Sequence, residues 1–207
     1  MRLNNIIINI NAPINTWKQE IESNASASDF IIINKTNSDD NLIWFITNYT
    51  QALIREGNNE VTTLFGKNIN NLESFIYQVN LSMPIGYKLS ARFDALYDLL
   101  MNFETEPQRR FIIWNDANYL LKVNKSDFHE IFELLIVSAY CNRNAISTIK
   151  DDGTRYVVDQ RNIFVLNNST IQDIQSLIDN EYHIPSIDNP TNVYKLIDFN
   201  VIELYEQ

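Results

Sequence analysis

Short apolar runs separated by helical patterns dominate the chain from residue 29 onward. Four of these runs predict strands, and the unbroken apolar run at Phe111–Trp114 indicates a strand buried on both faces of a sheet. A fifth strand is predicted near the end, at Tyr194–Leu204. The four runs are Asp29–Thr36, Val61–Phe65, Phe111–Trp114 and Ile163–Leu166.

The intervals between these runs carry apolar residues at helical spacing and residues that favour a helix start. After the first strand, Ser38 offers a cap and Asp39 and Asp40 an acidic first turn for a helix that Gly57 ends. Strands alternating with helices predict an α/β protein with a mainly parallel sheet and crossover helices on both faces. The other predicted helices are one capped by Asn70 or Asn71, Ala91–Phe103 capped by Ser90, a short turn or helix at Asp116–Leu121, Asp127–Tyr140 capped by Ser126, and Thr170–Ile178.

Two stretches interrupt this alternation. Between Cys141 and Asn162, the pair Asp152-Gly153 predicts a hairpin turn, with strands at 147–149 and 156–158. Asn189-Pro190 predicts a turn before the last strand. One continuous domain is the preferred interpretation, made of an N-terminal αβ extension (1–60), a core (61–168) and a C-terminal helix and strand (169–207).

Composition and charge limit the classes of partner. The 207 residues are 45% hydrophobic, which suffices for a full core, and the formal net charge is −10. An acidic surface argues against direct contact with nucleic acid, whose phosphates are bound by Lys and Arg. It favours a basic protein partner, although acidity also serves solubility alone.

The cysteine content and the amino terminus suggest a compartment. Cys141 is the single cysteine, so the chain forms no internal disulfide, and the apolar run Ile6–Ile10 is too short for a signal core or a membrane span. We therefore expect a cytoplasmic, bacterial type of protein that does not contact a membrane.

Motifs for catalysis and cofactor binding are missing from the sequence. Its four glycines are dispersed, so none builds a loop whose backbone amides could surround a phosphate. His129 and His183 lie far apart, and no nucleophile, base or metal-ligand set converges. We expect a protein that is not an enzyme and that binds neither a cofactor nor a metal.

One helix start combines acidic and aromatic residues. At helical spacing Asp94, Tyr97 and Asp98 share a face, and Tyr87 in the preceding loop could lie beside them. Carboxylates accept paired hydrogen bonds from arginine, and tyrosine adds rigid contact area. The alternative is that the two aspartates complement the positive end of their own helix.

Residues 61–168 resemble the barstar family of intracellular ribonuclease inhibitors. The resemblance rests on the turn Gly66–Ile69, the loop Pro84–Leu89 and the helix start Phe93–Leu100, which reads FDALYDLL. It implies a barstar-like core and an inhibitor or immunity protein for a basic nuclease or toxin. In that family the two aspartates and the aromatic residue of the helix start enter the nuclease active site. The resemblance therefore implies partner-binding roles for Asp94, Tyr97 and Asp98, with Tyr87 as a contact from the loop.

A second interpretation accounts for the whole chain. Strands near 30, 62, 112, 164 and 198, with helices between them, also follow a five-stranded nucleotide-binding fold of the P-loop type. Ile112–Asp116 then takes the place of the metal-binding strand, and Asn167 ends the next strand. Because the phosphate loop is absent, such a protein would be a degenerate scaffold or assembly subunit.

Overall fold

The computed structural model describes residues 3–27, 29–36, 38–83, 85–103, 107–146, 148–167, 169–185 and 193–206. Strands and helices alternate along most of this length. The strands are β1 (Leu3–Asn9), β2 (Asp29–Asn34), β3 (Asn59–Phe65), β4 (Arg109–Asn115), β5 (Asp159–Asn167), β6 (Glu181–Ile184), β7 (Val193–Leu196) and β8 (Phe199–Tyr205). The helices are α1 (Ile14–Asn24), α2 (Asp39–Arg55), α3 (Leu72–Ser82), α4 (Phe93–Met101), α5 (Asn118–Val123), α6 (Lys125–Arg143) and α7 (Gln175–Ile178), with 3-10 turns at Gly66–Asn68 and Ile171–Ile174.

Six strands form one sheet in the order β1-β8-β2-β5-β4-β3, and every neighbouring pair is parallel. The predicted α/β class with a mainly parallel sheet is therefore confirmed. Strands from all three predicted segments of the chain take part in this sheet. The short strands β6 and β7 pair separately, in antiparallel fashion.

The connections change direction at β2. From β2 the chain passes through α2 to the edge strand β3 and returns through β4 to β5, and β8 then lies on the other side of β2. In open α/β sheets, such a switch point leaves a crevice beyond the carboxyl ends of the strands. The crevice here lies beyond the last residues of β2 and β5, Asn34 and Asn167.

Helices cover both faces of the sheet, as predicted. On one face α1 and α2 bury Trp17 and Phe45 against strand residues such as Phe111. On the other face α3 to α7 enclose a larger core around Trp114 and Phe132. Alternate residues of the central strands enter the two cores, which explains why these strands are apolar throughout.

Two predicted helix starts were correct and two were wrong. The side chains of Ser38 and Asn71 accept backbone hydrogen bonds at the starts of α2 and α3. Helix α4 instead begins after Arg92, without a side-chain cap, so the predicted cap at Ser90 is two residues early. The cap of α6 is Asn124 rather than Ser126, because α6 already begins at Lys125 and Ser126 lies in its first turn.

The two ends of the chain differ most from the sequence pattern. The predicted strand at 194–204 is two strands, since β7 pairs with β6 while β8 joins the main sheet. Before residue 29 the pattern predicted no element, yet β1 and α1 lie there. Among the described residues, the predicted hairpin after Cys141 keeps a bridge between Ile149 and Arg155, around the turn at Gly153. Position 147 and the predicted turn at 189–190 fall outside the described residues.

Candidate functional site

A small cavity of about 150 Å³ opens at the carboxyl ends of the central strands. Its walls come from the start of α2, the turn after β3, the region around α5 and the end of β5. This is the crevice expected at the switch point of the sheet. The lining residues are Asp39, Lys67, Asp116, Asn118, Tyr119, Lys122 and Asn167.

Asn167 organises the cavity. Its side-chain amide donates to the Asp39 carboxylate at 2.8 Å, and its side-chain oxygen accepts from Asn34 at 3.0 Å. Asn118 holds the Asn167 backbone through two further bonds, one to the carbonyl oxygen at 2.8 Å and one from the amide at 3.0 Å. Since Asn167 and Asn118 are buried, these bonds satisfy polar groups that are largely removed from water.

The connection from β2 to α2 is too short for a phosphate-binding loop. Strand β2 ends at Asn34 and α2 begins at Asp39, which leaves four connecting residues, 35–38, none of them glycine. A P-loop spans about eight residues and needs glycines so that its amides can approach a phosphate. The positive end of α2 faces the carboxylates of its own first turn, Asp39 and Asp40.

Gly66 explains how the turn after β3 reaches the cavity. A Cβ atom on Gly66 would lie 2.2 Å from the Asn115 carbonyl oxygen and 2.4 Å from that of Asp116, so only glycine fits there. Asp116 itself has a left-handed backbone, with φ of 47°. This close approach places the next residue, Lys67, at the cavity, where its ammonium lies 3.8 Å from the Asp39 carboxylate.

The four residues predicted to bind a partner lie away from this cavity, on and before α4. Asp94 is exposed and bonded by the guanidinium of Arg92, two residues earlier, which holds the pKa of the Asp94 carboxyl below its ordinary value. Asp98 is exposed, and Tyr87 has 54% of its surface accessible in the loop.

The Tyr97 side chain points away from Asp94 and Asp98 and toward α6. It lines a groove of about 310 Å³ together with Glu130, Glu133 and His183, and burial raises its pKa to about 12. The structure therefore keeps Asp94 and Asp98 at the surface but directs the ring between them into a groove. A partner-binding role for these four residues stays a prediction.

Neither a membrane-spanning helix nor a cluster of metal ligands is found among the described residues. None of the helices in the described ranges combines the length and apolarity needed to cross a membrane. Among those same residues, no three His, Cys, Asp or Glu side chains come together as a metal site.

Comparison with known proteins identifies the fold. No family model and no curated protein matches the sequence. The structure is similar to the ORC2 protein of Aeropyrum pernix in its ADPNP-ADP complexes, with a TM-score of 0.50 and 17% identity over 92% of this chain and 45% of that chain. It is also similar to Drosophila ORC bound to poly(dA/dT) DNA and Cdc6, with a TM-score of 0.54 and 12% identity over 92% of this chain and 28% of that one. A third match, Drosophila ORC bound to DNA, has a TM-score of 0.51 and 11% identity over 91% of this chain and 29% of that one.

The chain thus spans less than half the length of these structures, and the similarity defines an ORC-like α/β fold. The strands β8-β2-β5-β4-β3 give the five-stranded P-loop type of sheet proposed as the second interpretation, with β1 added at one edge. As a description of the fold, that interpretation fits the neighbours better than the barstar-like core does.

The barstar resemblance was wrong, and with it the expectation of a ribonuclease inhibitor or immunity protein. The ORC-like match covers 92% of the chain, including the flanks that the barstar motifs left unexplained. The quoted motifs have local causes instead: Gly66 permits a close backbone contact, and Asp94 begins a helix beside Arg92. Short acidic motifs at helix starts recur in unrelated folds because they complement the helix dipole.

The predicted partners also need correction. A basic nuclease or toxin, with nucleic acid excluded, was inferred from net charge. Two of the neighbouring structures are ORC complexes bound to DNA, so this fold occurs in complexes with nucleic acid. Net charge describes the whole surface and does not reveal where a complex is formed, which is why it misled here.

Proposed function

We propose that this chain is a non-catalytic assembly subunit, built on an ORC-like nucleotide-binding fold whose nucleotide site is closed by its own side chains. Its role is to make protein contacts within an assembly that contains nucleic acid. The contact that supports this proposal most directly is the bond from Asn167 to Asp39, at the place where the phosphates of a nucleotide would lie.

The closed site follows from three local features. The four-residue connection between β2 and α2 supplies too few backbone amides to surround a phosphate. Asp39 and Asp40 would face an incoming phosphate with like charge. The lysine that approaches the site, Lys67, lies beside the Asp39 carboxylate. A substitution that removes one of these three features leaves the other two to oppose nucleotide binding.

The assembly role is supported by the solved neighbours and by the surface. The Drosophila structures are ORC bound to DNA, one of them with Cdc6, and both match over more than nine tenths of this chain. The surface carries large apolar side chains that the fold does not need, and Tyr77 and Leu81 lie one turn apart on the outer face of α3. Exposed apolar residues at this spacing are typical of a helix that packs against another protein.

Purification from the native cell tests the assembly role. The tagged chain is expected to elute as a complex far larger than 24.2 kDa that contains DNA and at least one nucleotide-binding subunit. A variant with Tyr77→Arg and Leu81→Arg should elute without them, whereas Lys125→Glu on the exposed start of α6 should not change the elution. Elution of the wild-type chain alone, with or without nuclease treatment, would contradict the role.

A further inference from the structure

The outer edge of the sheet at β1 is unusually open. Within the described part of the chain β1 pairs with β8 alone, so its other edge faces solvent. The Ile10 amide donates to the Tyr205 carbonyl at 2.9 Å, which directs the backbone groups of even-numbered residues toward β8. Since successive backbone groups alternate between the two edges of a strand, those of Leu3, Asn5 and Ile7 point outward.

This edge lacks the features that usually prevent strands from pairing. Natural edge strands carry charges, proline or bulges, or are covered by other elements. From Leu3 to Trp17 no residue is charged, in a chain that is 20% charged overall, and β1 contains no proline. The Ile7 side chain is 61% exposed, whereas its neighbours Ile6 and Ile8 are buried under α1.

The opposite edge of the sheet shows the contrast. Strand β3 carries Glu60, whose carboxylate pairs with the buried Arg110 of β4 at 2.8 Å. An inward-pointing charge of this kind is one of the devices that discourage pairing at an edge. The two edges therefore differ in their capacity to accept another strand.

From these observations we infer that β1 pairs with β1 of a second copy of this chain, in antiparallel orientation about a two-fold axis. The two sheets then form one continuous sheet of twelve strands. A two-fold axis midway between Asn5 and Asn5 of the second copy sets these two residues opposite each other and Leu3 opposite Ile7. All outward backbone groups of these residues are then paired, and Ile7 is covered by a leucine.

Electrostatics makes this edge a more favourable contact between two copies of the chain than its other surfaces are. Each chain carries a net charge of −10, so two copies repel each other over most of their surfaces. The uncharged stretch Leu3–Trp17 allows contact without opposing like charges. Because a single strand pair buries less area than a standard interface, the dimer is expected to dissociate on dilution.

Sedimentation velocity over a range of concentrations tests the inference. Wild-type protein should shift from monomer to dimer as concentration rises. Ile7→Lys places a charge on the edge and Asn5→Pro removes an outward amide, so both variants should remain monomeric. The matched control is Phe65→Lys at the end of β3, where the native side chain is 57% exposed, and it should dimerise like the wild type. Thermal melts establish that each variant is folded.

Cross-linking tests the register separately. Opposed residues of a hydrogen-bonded antiparallel pair have Cα atoms about 5.5 Å apart, within the range of a disulfide. Asn5→Cys should therefore form a disulfide-linked dimer on oxidation, whereas Ile54→Cys on the exposed face of α2 should not, and the native Cys141 is buried. A wild-type protein that stays monomeric, or a dimer unaffected by Ile7→Lys and Asn5→Pro, would overturn the inference.

Discussion

The side-chain amide of Asn167 donates to the carboxylate of Asp39 at 2.8 Å and so joins the end of β5 to the start of α2. These two elements border the crevice at the switch point of the sheet. The side-chain oxygen of Asn167 is engaged as well, by Asn34 at the end of β2. Polar groups that would otherwise be available to a ligand are therefore bonded within the protein.

Asn167→Ala tests whether this contact stabilises the fold. The change removes the bonds to Asp39, which is exposed, and to Asn34, which is half-buried. Both groups can then bond to water, so the free energy of unfolding should fall by about 1–2 kcal/mol, the net value of two hydrogen bonds. Urea denaturation measures the loss. Asn102→Ala removes an exposed side chain that donates to the Asp98 carbonyl, and should cost less than about 0.5 kcal/mol. Equal losses in the two variants would show that Asn167 has no special role.

Gly66→Ala tests the close contact between the turn after β3 and the end of β4. The new Cβ would meet the Asn115 and Asp116 carbonyl oxygens at 2.2 and 2.4 Å, so the backbone must shift. We expect the free energy of unfolding to drop by about 1–3 kcal/mol, the usual cost of overpacking. A thermal melt identical to that of the wild type would refute the contact.

The start of α6 provides a matched pair of variants. Asn124 accepts the Asp127 amide, whereas Ser126 lies exposed within the first turn. Asn124→Ala should therefore lower the free energy of unfolding by about 1 kcal/mol, the usual value of a helix cap. Ser126→Ala should leave the free energy of unfolding, measured by chemical denaturation, unchanged. A larger loss for Ser126→Ala than for Asn124→Ala would identify Ser126 as the cap.

The Arg92–Asp94 pair predicts a pH effect. Because the bond from Arg92 lowers the pKa of Asp94 in the folded state, the pair stabilises the protein above the ordinary pKa of an aspartate, and this contribution is lost as pH falls through the lowered value. Arg92→Ala should raise the pKa of Asp94 toward its ordinary value in an NMR titration. An unchanged titration would mean that the two side chains do not interact in solution.

The central part of the fold was predictable from the sequence because its strands are buried on both faces. Runs such as Ile31–Ile33 and Phe111–Trp114 leave few alternatives to a parallel sheet. β1 was missed because it is an edge strand with alternating burial and three asparagines. The last apolar run was predicted as one strand, since nothing in its composition marks Ile197 and Asp198 as the point where the chain changes sheets.

The candidate site was only partly predictable. Asparagine ends the central strands β2, β4 and β5, as Asn34, Asn115 and Asn167, and this signal is visible in the sequence. The contact between Asp39 and Asn167 joins residues 128 positions apart, however, and depends on the order of the strands. Local spacing suggested the acidic face of α4 instead, because neighbouring residues are the only ones whose proximity a sequence pattern can show.

Calorimetric titration of Mg²⁺-ATP and Mg²⁺-ADP into the purified protein tests the closed nucleotide site most directly. Asp39→Asn, which removes one like charge without lengthening the connection to α2, is the matched variant. We predict no saturable binding by either protein at millimolar nucleotide, and no nucleotide-dependent rise in the melting temperature. Saturable binding of either nucleotide by the wild-type chain at micromolar concentration would contradict the proposal that its own side chains close the site.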